Sequence, residues 1–327
     1  SMTIAALVVA GSAAAAPAAP KLGMVYDAGG KFDKSFNQSA FEGLQRFSKE
    51  TGVKVFEVQA NSDTQAEQVM RGLARKKVDM IAAIGFSQTQ AVQKVAREFP
   101  NVRFVLIDSV AQGPNIESVM FKEQEGSYLV GVAAAMASKS KKLGFVGGMD
   151  IPLIRAFACG YGQGAKAQAP KIEIVQNMVG TTAAAWNDPA KGGELARAQF
   201  DRGVDVVFAV AGGSGLGALK MAKDKGKLAI GVDSNQNYLY PGTMLTSMVK
   251  RVDVAIYDSF KSVQNGTWKG GVTYKGLKEG GVDWVLDKDN RKVVTPEIEK
   301  RVNGVRQDII EGKVKVIDYR AGSSCPV

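Results

Sequence analysis

Asp27, Asp108 and Asp233 each close a short apolar run, Met24-Val25-Tyr26, Val105-Leu106-Ile107 and Ile230-Gly231-Val232. At the carboxyl edge of a parallel sheet such a carboxylate faces the loops where small ligands sit, and it accepts paired N–H or O–H donors. Taken singly, each is equally an N-cap or turn aspartate; their repeated placement favours binding. Asp33-Lys34-Ser35-Phe36-Asn37 follows a Gly29-Gly30 turn and opens a helical stretch. Asp33 or Ser35 caps that helix, and Phe36 stands either in the core or at a cleft. Trp186-Asn187-Asp188-Pro189 has the same layout, an aromatic ahead of Asn/Asp and a Pro-started helix, and its tryptophan either packs on its own domain or faces the cleft. Two aromatics entering from opposite sides would sandwich a planar ring, at about 0.5–1.5 kcal/mol each beyond area burial.

Catalytic chemistry finds no comparable support. The chain holds 0 histidines, and its two cysteines, Cys159 and Cys325, are too distant in sequence to read as a zinc site. Gly213-Ser214-Gly215-Leu216-Gly217-Ala218 fits G-x-G-x-x-A, the fingerprint of a dinucleotide site and so of an oxidoreductase. It stands in the third strand-helix unit of its half, however, and its counterpart after Gly85 is Phe86-Ser87-Gln88. A tight strand-to-helix turn explains it more simply. A G-x-S-x-G elbow is broken by Leu216, and no histidine exists to serve as base. The reading is a binding protein, not an enzyme, with no cofactor or metal.

The elements that must position these residues come in two copies. Lys21-Leu22-Gly23-Met24-Val25 returns as Lys142-Leu143-Gly144-Phe145-Val146, the run from Val78 returns from Val204, and Val105-Leu106-Ile107-Asp108-Ser109 returns as Ile230-Gly231-Val232-Asp233-Ser234. A repeat of this length is one domain duplicated, and two lobes enclose a cleft. Short β-branched runs alternate with amphipathic stretches, so the class is α/β with parallel sheets. Strands are expected near 21–27, 53–59, 78–84, 102–107 and 116–121, and again near 142–147, 172–179, 204–210, 227–232 and 244–248. Helices are expected over 35–51 and 253–264, and a late one opens at Thr295-Pro296-Glu297. The late segments cross back between lobes. One lobe is drawn as 21–123 with about 251–290, the other as 124–250 with about 291–320, and 321–327 as a tail.

Asp27-x-Gly29-Gly30-x-x-Asp33-Lys34-Ser35-Phe36-Asn37, Trp186-Asn187-Asp188-Pro189, Ala211-Gly212-Gly213-x-Gly215 and Gly231-Val232-Asp233 together resemble the Bmp family. These are basic membrane protein-type substrate-binding proteins of ABC importers, similar to the purine nucleoside receptor. The resemblance implies a type I periplasmic binding protein, two duplicated parallel-sheet lobes with a hinge and an interlobe cleft. It implies a purine nucleoside or nucleobase as ligand, with flavins as another planar class, and an ABC permease of the inner membrane as partner. Phe36 would stack the ring with Trp186, Phe208 being the second choice. Ser35, Asn37 and Gly212 come with the matched motifs. Asp27, Asp108 and Asp233 match the family's strand-end acids, and Lys250 would join Asp233 on the ribose hydroxyls.

Composition agrees with a globular, exported protein. The chain has 327 residues, 45% hydrophobic and 23% charged, with a net charge of +10. Basic residues alternate with acids along helical stretches, so a solvated surface explains the charge, and no nucleic acid is implied. Residues 1–20 are apolar, then small and uncharged, like the end of a secretory signal. No cysteine lies near the cleavage region, so the expectation is a free, soluble periplasmic monomer without a lipid anchor. Export permits a Cys159–Cys325 disulfide, but sequence does not decide it. A ligand-responsive regulator of the same shape would need a DNA-binding headpiece in place of this leader-like start.

Overall fold

A computed structural model describes residues 18–322 and 324–327; the leader-like segment falls almost wholly outside them. Ten of its strands answer the two expected sets. In the first half they are β1 (Leu22–Tyr26), β2 (Val55–Gln59), β3 (Met80–Ile84), β4 (Arg103–Ile107) and β5 (Ile116–Phe121). In the second they are β6 (Lys142–Met149), β7 (Glu173–Gly180), β8 (Val206–Val210), β9 (Leu228–Asp233) and β10 (Met244–Lys250). Two further strands follow, β11 (Gly271–Lys275) and β12 (Val282–Trp284). The chain builds two six-stranded sheets, ordered β11-β5-β4-β3-β1-β2 and β12-β10-β9-β8-β6-β7. The same order in both is the duplication made visible.

β1 and β3 are apolar along their whole length and buried at every residue, as strands covered on both faces must be. In the first lobe α1 (Phe36–Thr51) covers one face, and α2 (Asp63–Arg75) and α3 (Thr89–Glu98) cover the other. In the second, α4 (Glu123–Ala137) and α5 (Pro152–Gln168) lie on the inner side, and α6 (Pro189–Asp201) and α7 (Gly215–Asp224) on the outer. The inner layers of both lobes join in one contiguous core. α4 and α5 approach until a Cβ on Gly164 would stand 2.0 Å from the Tyr128 carbonyl oxygen, so only glycine permits the crossing.

The chain changes lobe three times. It leaves β5 for α4 at Phe121–Glu123, returns from β10 to α8 (Val252–Gln264), which packs on α1, and leaves β11 for β12. This last passage corrects the drawn boundary near 290: β12 pairs antiparallel with β10, so the second sheet already contains residue 282. A three-residue strand carries too little pattern to read. α9 (Pro296–Ile310) begins as Thr295-Pro296-Glu297 predicts, with Thr295 accepting from the Ile298 N–H, and it packs on α4. The tail is no loose end. Cys325 is joined to Cys159 on α5 with the two Cα atoms 5.6 Å apart. No helix among the described residues is long and apolar enough to cross a membrane.

Candidate functional site

The turn after β1 is built on two aspartates. Asp27 Oδ1 accepts the Gly29 N–H at 2.9 Å and Asn37 Nδ2 at 2.8 Å. Asp33 accepts the N–H groups of Ser35, Asn37 and Gln38 at 2.8, 2.9 and 3.1 Å, satisfying the orphan donors of α1. Asp33 therefore caps the helix and Ser35 is left for another task. Fully buried, Ser35 donates to Asp233 Oδ2 at 2.5 Å, across to the other lobe. The capped start of α1 puts Phe36 at the cleft.

On the opposite lobe the glycine-rich turn after β8 seats a tryptophan. Ser214 Oγ donates to the Ala185 carbonyl at 2.7 Å and accepts the Asp188 N–H at 2.7 Å, bracketing Trp186. A Cβ on Gly148 of β6 would fall 2.1 Å from the Trp186 ring, so the indole lies against bare backbone there. Gly192 and Gly217 let α6 and α7 meet: a Cβ on Gly217 would stand 1.8 Å from the Pro189 carbonyl. These contacts account for the G-x-G-x-x-A run without a dinucleotide. Asp188 caps α6 by accepting from the Lys191 N–H, with Pro189 in the first turn.

Between the lobes lies a cavity of about 510 Å³, its open mouth included. The first lobe contributes Asp27, Asp33, Phe36, Asn37, Phe86 and Asp108 to its wall; the second contributes Leu153, Ile154, Phe157, Trp186, Gly212, Asp233 and Lys250. Asp108 and Asp233 occupy equivalent strand ends and share the left-handed backbone, at φ 69° and 66°, a conformation that Asp tolerates better than most. Lys250 donates to Asp108 Oδ2 at 2.6 Å and to Glu123 Oε1 at 3.2 Å, while Asp108 Oδ1 has no partner among the described residues. The Lys250 ammonium also lies 5.2 Å from the Phe36 ring centre.

Burial sets the electrostatics. It pushes Asp233 up to about 6, against the opposing pull of Lys250 and the Ser35 hydroxyl. It pushes Asp33 up to about 6 although four hydrogen bonds hold that carboxylate down. Asp27 is raised by burial too, with Asp108 and Asp233 adding to the effect. For Lys250 burial pulls the other way, and the neighbouring Asp108, Glu123 and Asp233 outweigh it, so the ammonium stays firmly charged. A wall of acceptors with apolar rings beside them suits a planar ligand that carries hydroxyl or N–H donors. No group of three or more metal-ligating side chains occurs among the described residues.

Of the residues singled out in the sequence, Asp27, Phe36, Asn37, Asp108, Trp186, Gly212, Asp233 and Lys250 meet in this one cavity. Ser35 does not line it. Lys250 pairs with Asp108 and Glu123 rather than directly with Asp233. Phe208, the second choice for stacking, is fully buried against Phe145 and Tyr161 and is corrected to a core residue. The cavity also holds Phe86 and Phe157, which the sequence motifs do not single out. The repeat held a signal for Phe86, which stands where the second copy has Gly212; Phe157, on an apolar helix, carried none. Phe86 meets Trp186 across the cleft, the ring centres 6.4 Å apart and edge-on.

The Bmp family model, described as ABC transporter substrate-binding protein PnrA-like, matches residues 20–319. The ABC transporter nucleoside-binding protein BmpA of Lactococcus lactis is 37% identical over 90% of this chain and 88% of that protein. An uncharacterised lipoprotein of Pyrococcus horikoshii is 37% identical over 82% of this chain and 69% of its own length. Among solved structures, an ABC transporter solute-binding protein from Aeropyrum pernix superposes with a TM-score of 0.84 at 30% identity, covering 91% of this chain and 94% of that one.

Proposed function

The chain belongs to the Bmp family of ABC-transporter substrate-binding proteins, and from that premise we propose that it captures a purine nucleoside between its lobes and hands it to the importer's permease. Members of such a family bind and deliver; they do not transform their ligand. The receptor works outside the cytoplasmic membrane, where it meets solute before the permease does, and we place it in the periplasm.

One observation carries the ligand class: aromatic rings and carboxylates enter the same cavity from both lobes. Phe36 and Trp186 would hold the base by its faces. Asp108, with its free Oδ1, and Asp233 would accept hydroxyl donors of the ribose, and Asp27 the N–H edge of the base. The Lactococcus relative is named for nucleoside binding, which supports the same class. Neither lobe alone holds both stacking rings or all three aspartates, so ligand would draw the lobes together and shift an open–closed equilibrium. Extraction of the freshly purified protein, followed by mass spectrometry, is expected to release a purine nucleoside in near-stoichiometric amount. Recovery of a flavin or a free base in its place would overturn the assignment.

A further inference from the structure

A polar chain runs from the cavity wall, through the hinge, to the C-terminal tail. Glu123, the first residue of α4 after the first crossing, is 0% exposed and faces Lys250 at 3.2 Å on one oxygen and Arg320 at 2.9 Å on the other. Lys250 is the last residue of β10, before the second crossing, and is 2% exposed. The Glu123–Lys250 contact thus ties two hinge strands together. The Arg320–Glu123 approach is a charge contact rather than an aligned hydrogen bond, because neither Glu123 Oε2 nor Arg320 Nη1 has a hydrogen-bonded partner. Arg320 is held in place by other bonds. It donates to the Phe121 carbonyl at 3.0 Å, at the end of β5, and to both carboxylate oxygens of Asp318. Five residues on, Cys325 fastens the tail to Cys159, and the same helix α5 presents Phe157 to the cavity.

Charge explains why a second cation belongs there. Lys250 faces Asp108, Glu123 and Asp233, three carboxylates around one buried ammonium. Without Arg320, Glu123 would compete for Lys250 and draw it from Asp108. We propose that Arg320, delivered by the disulfide-fastened tail, is a positioning residue for the ligand site: by satisfying Glu123 it leaves the Lys250 ammonium to hold Asp108 ionised at the cavity wall. Arg320 carries no signal of a role in the sequence, because nothing in the tail betrays which strand it reaches.

The charged groups facing Asp108 are Lys250, Glu123 and Asp233, with Asp27 near it across the wall and Arg320 beyond Glu123, itself paired to Asp318. Losing the guanidinium is expected to raise the pH at which Asp108 titrates, and with it the pH below which ligand affinity is lost. This rests on the nucleoside reading only for the ligand used, so two readouts separate the failures. Carboxyl-carbon NMR of ligand-free protein follows Asp108 directly in the unaltered chain, Arg320→Ala and Arg320→Lys. The alanine variant should move its midpoint upward and the lysine variant should return it most of the way; an unmoved midpoint overturns the proposal. Inosine and adenosine titrations should show a loss of about tenfold or more for Arg320→Ala at neutral pH. Absence of binding to the unaltered protein would count against the nucleoside, not against Arg320. Should Arg320→Ala fail to fold, Cys325→Ser keeps every charge and frees the tail, and the Asp108 midpoint must rise there as well.

Discussion

At the residue scale, the aspartates are costly in the fold and useful in the site. Asp33 and Asp233 are both pushed up to about 6 by burial, from an ordinary value near 3.8. A raised acid favours the folded state only when protonated, so its contribution is full below the unfolded value and is lost as pH rises through the folded one. The ligand asks for the opposite state, because only the carboxylate accepts two donors. Between pH 7 and pH 5 the ligand-free protein should therefore gain thermal stability while its affinity for ligand falls. Scanning calorimetry and titration across that window check both signs; parallel movement of the two would show that these acids do not serve the ligand.

At the scale of elements, glycine decides which helices can meet. α6 and α7 cross where a Gly217 Cβ would lie 1.8 Å from backbone oxygen, a neighbour that cannot rotate away. Gly217→Ala should cost about 1–3 kcal/mol and lower the melting temperature by several degrees, while Gly226→Ala, in open space but at φ 62°, strains only its own turn. A Gly217→Ala variant as stable as the parent would mean that α6 and α7 meet less closely. The strands were legible because each is a short apolar run that returns in the second copy, and the capped helix at Thr295 because its signals are local. What stayed hidden depends on distant partners. Ser35 and Asp33 read equally as the cap until Asp33 is seen to accept three backbone donors. Phe208, inside the strand expected at 204–210, stands as the second stacking choice until its side is fixed by the packing of Phe145 and Tyr161. β12 joins β10, and Arg320 reaches Glu123, only after three lobe crossings, which no spacing encodes.

For the whole molecule, the two copies have diverged into complementary halves of one container. The first lobe brings Asp27, Phe36, Phe86 and Asp108, the second Trp186, Phe157, Asp233 and Lys250. Bonds across the cleft hold the lobes together, Ser234 Oγ to the Ser35 carbonyl at 2.8 Å and Gln236 Nε2 to the Lys34 carbonyl at 2.9 Å, beside the Ser35–Asp233 bond. Each contributes about 0.5–1.5 kcal/mol, enough to favour closure without making it irreversible. Release to a permease requires that margin to stay small. Calorimetric titration of ligand-stripped protein with adenosine, guanosine and inosine tests the container most directly. One site per chain is expected, tight for at least one of the three, and weakened about tenfold or more in folded Phe36→Ala and Trp186→Ala variants. No heat from any of them at millimolar concentration, or unaltered binding in both variants, would contradict it.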